Sequence, residues 1–165
     1  MLSKTEDSLI QRLQASLPTD IEVVPLPDTP QELARQFDSG QVFVYFAGLT
    51  GKPAPGTSGS GETRHQVWQL LVRHRSKRKG GGLYALIDSC RLLLSGFVPI
   101  GCAGRMQLQE ESAPEVLDNV WVSFVTFTAP APNVPLPDPE TGPRMVRATW
   151  ENNPHDHATT VEKPQ

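Results

Sequence analysis

At 165 residues the chain has the size of one domain, and a hydrophobic fraction of 38% supplies a single packed core rather than two. A formal net charge of -3 excludes a surface given over as a whole to polyanions, while 16 prolines and 13 glycines point to long irregular segments beside a compact body. Two cysteines, Cys90 and Cys102, are too few for a disulfide scaffold and are expected to be free thiols of a reduced protein.

The first seven residues are polar and acidic, without the basic start and apolar run of a secretory signal. No window approaches the roughly twenty apolar residues that a membrane-spanning helix needs, since Leu92 to Leu94 is closed in by Arg91 and Gly96. The expectation is a chain that folds in a cytosol, away from membranes.

In chain order, Ser3 and Glu6 have the spacing of a capping box, and Leu9, Ile10, Leu13 and Leu17 line one side of a helix that ends by Pro18. Asp20 to Val24 reads as a short strand. Thr29-Pro30-Gln31-Glu32 then supplies an N-cap, a first-position proline and an early glutamate for a second, short helix that buries Leu33 and Phe37. Gln41 to Ala47 is β-branched and aromatic with hardly a polar break, which predicts a central strand covered on both faces. Gly48 to Thr63 has almost no apolar anchor and reads as a mobile loop.

From His65 to Arg75 the pattern alternates, with Trp68, Leu70 and Val72 on one face of a half-buried strand. A basic, glycine-ended flexible link, Arg75 to Gly82, leads to the clearest helix of the chain, in which Leu83, Leu86, Ile87, Cys90 and Leu94 recur at helical spacing before Gly96. Arg105 to Gln109 and Asn119 to Thr128 then alternate as a terminal hairpin around an acidic turn at Glu110 to Glu115. These elements make residues 1–129 an α+β domain, an antiparallel or mixed β-sheet with helices packed on one face. Residues 130–165, punctuated by Pro130, Pro132, Pro135, Pro137 and Pro139, read as an extended, partly disordered Pro-rich C-terminal arm.

The densest charge is the run Arg73, His74, Arg75, Lys77, Arg78 and Lys79. Phosphate contacts from such residues gain affinity at low salt, yet the run contains no interleaved aromatic residue for single strands and no recognition helix for a duplex. Arg73, Arg75, Lys77, Arg78 and Lys79 are therefore candidate contacts for a charged partner or for DNA in a lumen, with a solvated loop as the plainer reading. Gly80-Gly81-Gly82 before a helix suggests an anion-binding turn, but no phosphate-loop motif accompanies it, and a hinge explains it better.

His155-Asp156-His157 has metal-binding side chains but no spacing that fixes a coordination geometry, so no metal is expected. Asp88, one turn from Arg91, fits an ion pair better than a general base. No nucleophile is placed beside a base, and neither an enzymatic activity nor a cofactor is expected.

At Gly82-Leu83-Tyr84-Ala85-Leu86-Ile87-Asp88, followed by Arg91, Leu94, Gly96, Phe97, Pro99 and Gly101, the chain resembles the tail-terminator, or tail-completion, family of Mu-like contractile-tailed phages. The resemblance runs over residues 3–129, through the first helix, the strand at Val42 to Phe46, the long polar loop, the Trp68 strand and Asn119-Val120-Trp121-Val122. It implies a homo-oligomeric ring, a hexamer, at the head-proximal end of a virion tail. Such a ring caps the tail tube, ends polymerisation and offers a surface for head joining, with tube and sheath subunits and a head–tail connector or stopper as partners. The arm departs from the family pattern. Val146 and Trp150 in it are candidate inter-subunit contacts, a proline-stiffened segment losing little entropy on docking. Two other functions compete: another neck component (connector or stopper), and a host-directed nucleic-acid-binding protein acting through the basic run.

Overall fold

In the computed structural model, which describes residues 2–51 and 64–131, the two apolar periodicities of the chain become one sheet and two long helices. Helix α1 (Leu2–Gln14) leads through β1 (Ile21–Pro25) and a single turn, α2 (Pro30–Leu33), to β2 (Gly40–Thr50) and β3 (His65–His74). A 3-10 turn at Lys79–Gly81 opens α3 (Gly82–Leu94), and β4 (Gln107–Glu111), β5 (Glu115–Leu117) and β6 (Val120–Pro130) follow. The six strands form a mixed sheet in the order β1-β2-β3-β6-β4, with β5 also on β6. Only the β1–β2 pair is parallel. The chain thus has the mixed α+β architecture expected from the sequence.

Side-chain alternation sorts the sheet into two faces. On one, the register aligns Val42 with Val72, Val44 with Leu70 and Val125, and Phe46 with Trp68 and Phe127. Against these rows pack Leu9 and Leu13 of α1 and Leu83, Leu86, Ile87, Cys90 and Leu94 of α3, which together form the core. Ser8 joins this layer by a pair of bonds: its hydroxyl donates to the Thr5 carbonyl and accepts the Ile100 amide at 3.1 Å. Burial alone pushes the Cys90 thiol up to about 12, so it remains a protonated, unreactive core group. Arg91 ties α3 to the sheet, pairing with Asp88 at 2.9 Å and with Glu111 at 2.7 Å. Its pairing with Asp88 is the one expected from their spacing.

The second face is thinner. Phe43, Leu71 and Phe124 lie in one row of it, and Tyr45, Gln69 and Thr126 in the next. The Tyr45 hydroxyl donates to the Gln69 amide oxygen, and the Gln69 amide nitrogen donates to the Thr126 hydroxyl at 3.2 Å. The α2 turn and the chain up to Phe37 lie on this face rather than with the long helices, because the link from β1 to a parallel β2 must cross over the sheet.

Several local expectations change in the folded chain. Ser3 lies inside the first turn of α1, so the Ser3–Glu6 spacing does not mark the helix start. Thr29 caps α2 in position but its hydroxyl accepts no bond from the first-turn amides, and Phe37 is buried beyond the end of that four-residue helix. The terminal hairpin gains a strand, β5, and its tight turn is Asp118–Asn119, both with positive φ. That two-residue turn matches the right-handed twist of its strands, and Asp and Asn tolerate the left-handed conformation it demands.

Candidate nucleic-acid and partner interface

Where β3 ends, alternation sends successive basic side chains in opposite directions. Arg73 follows Leu71 onto the second face. Its Nη1 donates to the Leu33 carbonyl at 2.7 Å, and its guanidinium lies 4.8 Å from the Phe37 ring centre and 5.7 Å from that of Phe43. Partial burial lowers its pKa, and Asp118 partly restores it. Arg75 reaches the same segment, donating from Nη2 to the Phe37 carbonyl at 2.6 Å and resting over the Phe37 ring. These two arginines fasten the α2 crossover to the sheet.

Arg73→Ala should therefore lower folding stability by about 1–2 kcal/mol, the size of a charge-assisted hydrogen bond and a shielded cation–π contact. Urea unfolding followed by circular dichroism measures it. Arg73→Lys should recover less than half of the loss, because an ammonium cannot lie flat between two rings while bonding a carbonyl.

The rest of the run turns toward α3 through hydrogen bonds and a 3-10 turn at Lys79–Gly81. His74 is buried, and its Nδ1 accepts the Ser76 amide at 2.9 Å. The Ser76 hydroxyl accepts the Lys79 amide, its carbonyl accepts the Leu83 amide at 2.9 Å, and the Lys77 carbonyl accepts the Tyr84 amide at 3.4 Å. Gly80, Gly81 and Gly82 all have positive φ, which lets the chain close this loop. The Leu83 and Tyr84 amides at the start of α3 are thus bonded to the preceding turn and are not free to bind an anion.

On this turn Lys77 sits over two rings, its Nζ 4.4 Å from the Trp121 centre and 5.4 Å from that of Tyr84, and the Arg78 guanidinium lies 5.8 Å from Tyr84. Lys79 is exposed. Tyr84 is held below the usual phenol range, first by the hydrogen bond from Lys77; desolvation opposes this, and the charge of Lys77 and the contacts of Arg78 add to the lowering. Among the described residues no carboxylate pairs with Lys77, Arg78 or Lys79.

The five basic residues singled out in the sequence are thus divided. Arg73 and Arg75 bind their own fold; Lys77, Arg78 and Lys79 form an exposed turn with two aromatic residues that sequence reading did not include. Trp121 arrives through the pairing of β6 with β3, opposite His74 in register, which no local pattern reveals. Tyr84 carried a signal, as an aromatic residue on the polar side of an amphipathic helix beside the basic run.

A second surface is an open groove of about 730 Å³ on the second face, between the Leu33–Phe37 segment and the Asp118–Asn119 turn, floored by Leu71, Val122 and Phe124. Among the described residues no three His, Cys, Asp or Glu side chains cluster as metal ligands, and no helix is long and apolar enough to cross a membrane. Val146, Trp150, His155, Asp156 and His157, and most of the Gly48 to Thr63 loop, lie outside the described residues.

A family model described as "Gp37 protein" matches residues 9–152. No curated protein matches the chain. Among solved structures, a chain in the virion of a native gene transfer agent (GTA) particle is similar with a TM-score of 0.51 and 14% identity, covering 79% of this chain and 96% of that one. A second solved protein, of unstated function, is similar with a TM-score of 0.52 and 11% identity, covering 82% of this chain and 95% of the other. At these identities the likeness is one of fold.

Proposed function

Because the chain belongs to the Gp37 protein family, we propose that it is a structural, non-catalytic component of a phage virion and, more narrowly, the tail terminator. It forms a homo-oligomeric ring at the head-proximal end of the tail, caps the tube and sheath, and presents the surface to which the head complex joins. The observation that carries this reading is that a chain of a virion particle has the same fold over 96% of its length. The residues through which the sequence resembles phage tail terminators support the narrower part, since they form α3 and the turn that follows it.

A ring needs two different flanks that fit each other around the circle, and a terminator needs one ring face that matches the tube and another that refuses a further tube ring. The sheet offers two unlike edges, β1 on one side and β4 with β5 on the other. The groove and the Lys77–Lys79 turn provide further distinct surfaces for neighbouring rings. The C-terminal arm, with Val146 and Trp150, extends the contact to an adjacent subunit or to the sheath.

Purified full-length protein added to polymerising tail-tube subunits should shorten the tubes and be found at one end of each. Tubes that keep growing, with the protein bound only to the head-side complex, would make it a connector or stopper instead.

A further inference from the structure

We propose that the turn at Lys77, Arg78 and Lys79 binds the phosphodiester backbone of duplex DNA without reading its sequence. The inference deepens the preceding reading, since a ring at the tail end surrounds the DNA that passes through it, but its chemistry is argued from the turn itself.

The turn presents charge held in place. Lys77 is seated on Trp121 and Tyr84 and Arg78 lies beside Tyr84, so these two cations lose less freedom on meeting an anion than free side chains do, while exposed Lys79 extends from a backbone bonded to Ser76. No carboxylate among the described residues neutralises the three cations.

The form of the site selects the ligand. Bases of a single strand need open aromatic faces for stacking, and here Lys77 and Arg78 already lie against the Tyr84 and Trp121 rings. Sequence reading of a duplex needs an element in the major groove, and the amides at the start of α3 are tied back to the turn. An acidic protein would need apolar contact as well, for which exposed Val116 opposite Trp121 is the nearest surface, and polyglutamate stands for that occupant in the test. What the turn offers is charge, and an evenly charged phosphate backbone needs nothing else.

The test is a fluorescence-anisotropy titration of the full chain with a labelled duplex of about 20 base pairs, beginning at about 50 mM salt and repeated at higher salt. Expected is binding independent of sequence, with a log–log salt slope of about -3 if three phosphates are neutralised per chain. Lys77→Gln/Arg78→Gln/Lys79→Gln should weaken binding about tenfold or more and flatten the slope, while Arg105→Gln should leave both unchanged. Because Lys77 is partly buried, the pair Arg78→Gln/Lys79→Gln, confined to exposed side chains, guards against a folding defect and should flatten the slope by about two. No binding at low salt, equal binding by the substituted chains, or tighter binding of polyglutamate than of DNA would each overturn the proposal. Tube capping uses no DNA, so loss of DNA binding with capping intact would sink this inference alone.

Discussion

Gly82→Ala is expected to destabilise the chain by about 3 kcal/mol, enough to unfold a marginal domain in part at room temperature. A Cβ at this position would lie 2.6 Å from both the carbonyl carbon and the carbonyl oxygen of Lys77 and 3.1 Å from the Ser76 oxygen. These are backbone atoms, so no side-chain rotation relieves the overlap. The residue also has φ +24, a conformation that L residues rarely adopt. The Ser76 oxygen that the methyl group would crowd also accepts the Leu83 amide, so the substitution strikes the bond that starts α3. Gly80→Ala separates strain from overlap: nothing lies within 4 Å of its Cβ, and only its positive φ is unfavourable. It should cost about 1 kcal/mol. Urea denaturation of the two variants measures the difference, and equal losses would mean that the close approach at Gly82 is relieved by movement of the turn.

Trp68→Ala should cost about 4 kcal/mol, the range for removing a large aromatic side chain from a closed core. Trp68 is 1% exposed, pairs in register with Phe46 and Phe127, and meets the Phe46 ring at a centre distance of 5.4 Å. Its Nε1 donates to the Gln66 side-chain oxygen at 3.0 Å, so truncation leaves a cavity and also takes a donor from a buried amide. Trp68→Phe keeps much of the ring volume and should lose about half as much. The measurement is the shift in the urea midpoint at unchanged slope. A loss under about 1 kcal/mol for the alanine variant would mean that the core collapses into the space.

Much of the architecture was legible along the chain because its signals are local. The alternation of Trp68, Leu70 and Val72 and the helical spacing of Leu83, Leu86, Ile87, Cys90 and Leu94 each report which side of an element faces the core, and the folded chain buries those sides. Gly96, with φ 81, closes α3 where its position after the last apolar residue placed the stop. The Ser3–Glu6 spacing misled because a four-residue motif recurs without a helix boundary, and the acidic segment around Glu110 hid the true hairpin turn. Asp118-Asn119 lacks glycine, the usual mark of such a turn, and is recognisable only once Leu117 pairs with Val120.

What the sequence determined by itself was the order of the main helices and strands apart from β5, the inward face of each long helix and the presence of a basic run, since all of these follow from the order of neighbouring residues. Where each cation of that run goes was decided by the tertiary structure alone. Phe37 and Phe43 take up Arg73, and Trp121, brought opposite His74 by strand pairing, takes up Lys77. The physical reason is that a charge acquires its role from the groups that surround it in space, and here those groups are supplied by segments far away along the chain.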